Sequence, residues 1–366
     1  MKLTRIAQLG AVAAIAALTL TACASNEGTT SPSGSGEAST LSGSIAGSGA
    51  SSQGKAQDTW IANFSTTNPR VTIAYDGGGS GAGRTAFISG GVDFAGSDRA
   101  FKDDELTSNT FATCAADSGI VELPLYISPI AIGFKLDGIE SLNLDSATIA
   151  KIFSGQITTW NDPAIASLNP GVTLPSLAVT PIHRSTNSGT TENFTDYLAK
   201  SAPEVWKWPA SGDWPSDITG GEGAAETSDV ASLLSSANGS IGYLDASRAP
   251  GSTVAIKVGD EFVAYSPEGA AAVVESSPLV EGREPFDLAI QLDRTTTDPT
   301  HYPLVLVSYL IGCETYATAG QAELVKAYFS YIASAEGQDA AAAEAGNAPI
   351  SDALREQIVA AIDVIS

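Results

Sequence analysis

The chain has 366 residues, 43% of them hydrophobic, which suits a packed protein of about two domains and excludes a disordered one. Its 41 Asp and Glu against 18 Lys and Arg give a formal charge of −23, and that disfavours nucleic acid as a partner, because phosphate backbones are bound chiefly by cations. Two histidines and three cysteines are too few for a His/Cys zinc site, and beyond the N-terminus no apolar run is long enough to cross a bilayer.

Lys2 and Arg5 precede a compact apolar stretch, residues 11–20, that is too short to span a membrane. It ends in Leu20, Thr21, Ala22 and Cys23, the pattern of a bacterial lipobox, where cleavage precedes a cysteine whose thiol is acylated. The plainer alternative is a secretory signal with an incidental cysteine. Residues 1–22 are therefore expected to be a lipoprotein signal peptide, Cys23 the lipidation site, and residues 23–40 a flexible Ser/Gly/Thr tether. This places the folded chain at the cell membrane, lipid-anchored on its extracytoplasmic face. Cys114 and Cys313 remain as unacylated thiols, and outside the cytoplasm an isolated pair favours a disulfide over a metal site or a nucleophile.

Further along, strand and helix signals alternate. Residues 44–46 read as a strand before a helix that reaches Trp60 and Phe64. Residues 71–75 and 92–95 read as strands around a Gly-rich turn and a helix, and 120–125 and 129–134 as two further apolar β runs. Helix-period apolar residues fill 146–153 and 191–199, followed by strands at 240–244 and 304–310 and helices at 322–335 and 351–365. The alternation predicts an α/β architecture with mainly parallel pairing.

Three glycine- and hydroxyl-rich turns carry the chemical signal: residues 47–53, 77–83 and 184–190. Each places small residues where a strand turns into a helix N-terminus. There glycine lets the backbone approach a ligand, and unpaired first-turn N–H groups point outward. Those donors, the helix dipole and Ser/Thr hydroxyls suit a compact oxyanion. Taken singly, such turns mostly satisfy backbone geometry and nothing more. None fits the full G-x-x-x-x-G-K-[ST] pattern of a nucleotide P-loop, and no G-x-S-x-G elbow is accompanied by a well-placed histidine.

In their order and spacing these residues resemble the phosphate-binding lipoproteins of bacterial phosphate ABC transporters, the PstS family, over nearly the whole chain from Leu41. Residues 47–52 (Gly-Ser-Gly-Ala-Ser-Ser), 75–81 (Tyr-Asp-Gly-Gly-Gly-Ser-Gly) and 92–98 (Val-Asp-Phe-Ala-Gly-Ser-Asp) look like its three N-terminal signatures. Residues 151–162, 184–190, 193–198 and 239–244 are similar to its second-domain signature, anion clamp and later motifs.

The resemblance implies a two-lobed periplasmic-binding-protein fold of the type II Venus-flytrap kind, with hinge strands near residues 126–129 and 301–303. Lobe I would be residues 41–126 plus 302–366, and lobe II residues 127–301. It also implies high-affinity binding of inorganic phosphate, with membrane permease and ATPase subunits as partners, no cofactor, no metal, no catalysis and a monomeric state. Carried over, the ligand residues are Ser51, Ser52, Ser80, Asp98, Arg184, Ser188, Gly189 and Thr190. Two positions depart from the family. Ser52 stands where an aromatic residue is common, and Thr186 stands where an acidic residue often orients the arginine.

Asp98 is the informative member of the set. A carboxylate in an anion site repels its ligand unless it accepts a proton the ligand carries. Phosphate at neutral pH keeps a P–OH and sulfate has none, so Asp98 would admit the first and reject the second. The structural alternative is that Asp98 caps the segment beginning at Arg99. His183, beside the arginine, reads as the end of a strand, and Trp206, Trp208 and Trp214 as the packing of an irregular loop or, alternatively, a sugar-stacking surface. Two other function classes stay open: a PstS-like phosphomonoester hydrolase using Ser51 or Ser188, and a surface adhesion or sensing protein.

Overall fold

The computed structural model describes residues 39–366; Cys23, the signal segment and most of the expected tether lie outside the described residues. Strand β1 (Gly43–Gly49) leads through a single 3-10 turn, Ser51–Gln53, into helix α1 (Gly54–Thr67). Then β2 (Val71–Asp76) turns into α2 (Ser80–Ile88), and β3 (Phe94–Ser97) is followed by α3 (Asp103–Ser108). Next comes β4 (Ile120–Phe134), a single strand, where the sequence suggested two. All 15 of its residues are buried, and at about 3.3 Å per residue it is roughly 50 Å long, enough to serve both halves of the molecule.

The middle of the chain contributes β5 (Ser141–Leu144), α4 (Ser146–Phe153), α5 (Pro163–Leu168), β6 (Thr180–Arg184) and α6 (Gly189–Ser201). It continues with β7 (Glu222–Ala224), α7 (Thr227–Ser236), β8 (Ser240–Asp245), β9 (Thr253–Val258), β10 (Glu261–Val263) and α8 (Pro267–Ser276). After a long irregular stretch, β11 (Val305–Cys313) returns beside β4, and α9 (Ala319–Ala333), α10 (Ala335–Ala345) and α11 (Asp352–Asp363) complete the chain.

The strands run in the order β2-β1-β3-β11-β4-β8-β6-β7. Strand β4 pairs with β11 from Ile120 to Pro129 and with β8 from Ile130 to Phe134, so it changes partner at that point and belongs to both arms of the sheet. Parallel pairing holds at the edges, where β1 joins β2 and β3, and β8 joins β6. The spine is antiparallel, with β11 against β3 and β4, and β4 against β8, which corrects the expectation of mainly parallel pairing. Both faces of these central strands are covered, so their sequences are continuous apolar runs that carry no directional signal.

Each arm has its own aromatic core. In the first, Phe94 meets Tyr75, Tyr328 and Phe329, while the Trp60 indole donates to the Gly337 carbonyl and ties α1 to α10. In the second, Phe194 stacks on Tyr243 at 4.1 Å and Phe153 packs edge-on against Phe194. Cys114 and Cys313 form the expected disulfide, joining the segment before β4 to the end of β11.

Candidate functional site

Helix starts from both arms converge beside the place where β4 changes partner. The first turn is shorter than the sequence suggested, because Gly47, Ser48 and Gly49 belong to β1. Gly47 is a packing residue: a Cβ there would lie 2.2 Å from the Phe94 ring. The turn proper presents Ser51 and Ser52, the second opens α2 with Ser80, and the third runs from Arg184 at the end of β6 to Ser188, the N-cap of α6. The Ser188 hydroxyl accepts from the Thr191 N–H, which leaves earlier N–H groups of that helix outside its own ladder.

The structure brings all eight sequence-predicted residues together. Arg184 Nη1 donates to Ser51 Oγ at 3.0 Å and to Ser188 Oγ at 3.1 Å. Ser52 Oγ lies 2.5 Å from Asp98 Oδ1, Thr190 Oγ1 lies 3.1 Å from Oδ2, and the Asp98 N–H donates to Ser80 Oγ at 3.1 Å. Gly189 must be glycine for steric reasons, since a Cβ there would fall 2.5 Å from both Asp98 Cβ and Ser80 Oγ. The start of α6 thus presses directly onto Asp98 and α2. Except for half-buried Ser51, the set is shielded: Ser52, Ser80, Asp98, Arg184, Ser188, Gly189 and Thr190 are all buried.

Asp98 does not cap the following segment. Its carboxylate faces inward onto hydroxyls, and the N-cap of α3 is Lys102. Burial pushes its carboxyl above the ordinary value, and hydrogen bonds from Ser52, Ser308 and Thr190 together with the charge of Arg184 pull the other way. Burial likewise lowers the Arg184 guanidinium, which Tyr243, Asp98, Glu226 and Asp229 help to keep charged.

The departure at Thr186 has a structural answer. Arg184 Nε donates to the Ala225 carbonyl at 2.9 Å and Nη2 to Thr186 Oγ1 at 3.1 Å, while Thr186 itself donates to the same carbonyl at 2.8 Å. A hydroxyl and a backbone carbonyl therefore fix the plane of the guanidinium. Its side-chain hydrogen bonds all go to neutral oxygens.

Several participants were not among the expected ligand residues, although Gln53 and Asn193 lie in segments singled out above. Ser308 on β11 donates to Asp98 Oδ1 at 2.7 Å, and Gln53 donates to Ser308 Oγ at 2.6 Å. Asn193 Nδ2 donates to the Asp98 carbonyl at 2.7 Å, and Thr227 pairs with Ser51 at 3.0 Å. A signal for Ser308 exists: it is the one serine in a fully buried strand whose other residues are apolar or aromatic. His183 stacks flat on Trp214 at 4.6 Å, and Trp214 in turn packs against Trp206, Phe153 and Tyr243. The tryptophans thus form a packed cluster in the second arm.

Comparison with known proteins shows the family and the fold. The PBP superfamily domain matches residues 33–336. Phosphate-binding protein PstS 2 of Mycobacterium tuberculosis is 32% identical over 379 residues, covering 100% of both chains. Phosphate-binding protein PstS of Xylella fastidiosa is 30% identical over 302 residues, 80% of this chain and 78% of that one. Among solved structures, a periplasmic phosphate-binding protein determined with phosphate bound, PfluDING, superimposes with a TM-score of 0.70 at 22% identity, covering 87% of this chain and 93% of that one. A phosphate-binding protein from Stenotrophomonas maltophilia gives a TM-score of 0.65 at 18% identity, covering 87% and 93%. These two share its fold, and the sequence relatives go further: the chain belongs to the PstS family of phosphate-binding proteins within the PBP superfamily.

Proposed function

We propose that this protein captures inorganic phosphate on the extracytoplasmic face of the membrane and delivers it to the permease and ATPase subunits of an ABC importer. On this reading it is a monomer anchored by lipid on Cys23, and it binds without catalysing a reaction. The observation that carries the reading is Arg184. A guanidinium only 2% exposed, whose side-chain hydrogen bonds all end on neutral oxygens, sits among three helix starts. Buried charges are ordinarily paired, and a small anion at this point would complete the pairing.

The division of labour follows from the donors and acceptors. Arg184 offers a planar fork to phosphate oxygens, and Ser51, Ser52, Ser80, Ser188, Gly189 and Thr190 add hydroxyl and backbone donors. Asp98 accepts a hydrogen bond from the ligand's remaining P–OH and thereby excludes fully deprotonated anions. The overall charge of −23 does not oppose capture, because distant charge is screened within about 8 Å while these donors act at contact. Ser51 and Ser188 both accept from Arg184, which cannot serve as a base, and this favours binding over hydrolysis.

Two lobes hinged on β4 and on the chain entering β11 suit a trap of this kind, with residues 41–126 and 302–366 in one lobe and 127–301 in the other. The change of β4's partner after Pro129 supports that division. Titration calorimetry of the purified protein with phosphate, arsenate and sulfate tests the function: saturable binding of phosphate with no heat from sulfate is expected. Absence of phosphate binding would overturn it.

A further inference from the structure

Asp98 is fixed by more than the residues proposed to touch the ligand. A carboxylate has about four acceptor positions. Oδ1 receives two hydroxyls, from Ser52 and Ser308, whereas Oδ2 receives only that of Thr190. Gln53 Nε2 donates to the Ser308 oxygen at 2.6 Å, so the one proton of that hydroxyl is turned away from the amide and toward Asp98.

The direction of this chain is set by the backbone. Gln53 Nε2 also faces the Tyr309 carbonyl at 3.3 Å, and a carbonyl can only accept, so the amide must present its NH2 to this side. Its oxygen then accepts from Gln57 Nε2 at 2.9 Å, and Gln57 Oε1 accepts from the Tyr328 hydroxyl at 2.8 Å. Gln53, Gln57 and Ser308 are all buried, so bulk solvent does not reach these groups. The placement of Ser308 depends on an irregularity: the β11–β4 register shifts between Ser308 and Tyr309, opposite Pro124, which has no N–H to give to the ladder.

We propose that Ser308 and Gln53 are specificity-determining positioning residues: the Gln53 amide directs the Ser308 hydroxyl onto Asp98 Oδ1, which keeps the carboxylate ionised and leaves Oδ2 a single open acceptor for the ligand's hydroxyl. This rests on the reading that Asp98 faces phosphate. The other groups bearing on its charge are Arg184 from β6, Tyr75 from β2 and Asp245 from β8, along with the hydroxyls of Ser52 and Thr190. Burial disfavours the ionised form, so each donor counts. Once protonated, Asp98 becomes a donor and no longer rejects sulfate, which itself remains deprotonated. Selectivity is therefore lost as pH falls through the Asp98 pKa, and removing a donor moves that loss to higher pH.

The test is sulfate competition against labelled phosphate from pH 8 down to pH 4.5, in the unaltered chain, Ser308→Ala and Ser308→Cys, with thermal melts to show that each is folded. Ser308→Ala should move the onset of sulfate competition up by about one to two pH units, the shift expected on losing one hydrogen bond to a charged group. Ser308→Cys, which keeps a weaker donor, should fall between. Gln53→Met should move the onset in the same direction by less, because the serine can then turn away but is still present. An unchanged onset in folded Ser308→Ala that still binds phosphate at pH 8 would overturn the inference alone. Failure of the unaltered chain to bind phosphate at pH 8 would overturn the reading beneath it as well.

Discussion

Asp98 and Arg184 lie in opposite arms of the sheet, both buried, and both bonded through their side chains to neutral groups. Their surroundings nevertheless differ in kind. Arg184 is gripped from behind by the Ala225 carbonyl and Thr186, while its Nη1 edge is turned toward Ser51 and Ser188 at the helix starts. Asp98 is surrounded by hydroxyls on both oxygens, and its main chain is held by Ser80 and Asn193. One end of the site is a forward-facing donor and the other a nearly saturated acceptor. On the proposed function, the first supplies affinity and the second chooses among tetrahedral anions.

The largest expected effect is at the donor end. Arg184→Ala should weaken phosphate binding by roughly 10- to 150-fold for each charge-assisted bond lost, since such bonds are worth about 1.5–3 kcal/mol. Calorimetry against the unaltered protein measures it. Ser80→Ala and Thr190→Ala remove neutral hydroxyls beside surviving backbone donors and should cost about 2- to 10-fold. Equal losses from all three changes would place Arg184 outside the ligand's reach and erase the contrast.

A smaller effect is expected where the arms meet beside the site. Arg99 donates to Glu192 at 2.7 Å and to Glu105, and Lys102 reaches Glu192 at 2.8 Å, so an ion-pair cluster bridges from the β3 end to the first turn of α6. Burial works against the charged form of Glu192, but Arg99 and Lys102 outweigh it and hold its carboxyl below the ordinary value. The pairing therefore contributes above the unfolded-state pKa of a glutamate and is lost as pH falls through the lower folded value. Glu192→Gln should weaken phosphate binding by about two- to five-fold, less at high salt, and titrations at two ionic strengths check it. The smallest effect on affinity is expected from replacing Cys114 and Cys313 by alanine. That pair lies in the first arm away from both ends of the site, and its removal should lower unfolding free energy by about 2–4 kcal/mol with little change in binding.

The two ends of the site also differed in how much of them the sequence disclosed. The Arg184 end is local: strand, turn, N-cap and helix fall within residues 180–201, and the turn chemistry announces them in order. The partners of Asp98 are not local. Ser308 is 210 residues away and Gln53 is 255 residues from Ser308, and no periodicity or turn signal links positions so far apart. The same contrast holds for the fold. Helix α4 occupies the predicted residues 146–153, because an Asp145 cap and a strong apolar stripe fix it locally. Strand β3 begins two residues later than predicted, and α10, rich in alanine and weak in apolar periodicity, was not foreseen. The antiparallel spine was hidden for a different reason: a strand buried on both faces reads the same in either direction.

The most direct measurement is sulfate competition against labelled phosphate, at fixed ionic strength and neutral pH, in the unaltered protein and in Asp98→Asn. Asparagine is nearly isosteric with aspartate but brings N–H donors, so a fully deprotonated anion can be satisfied where the carboxylate leaves it facing an acceptor. An unpaired buried acceptor costs about 1–3 kcal/mol, so sulfate should compete at least several-fold better in the variant and the preference for phosphate should shrink. If sulfate stays excluded to the same degree, Asp98 does not set the selectivity of this site.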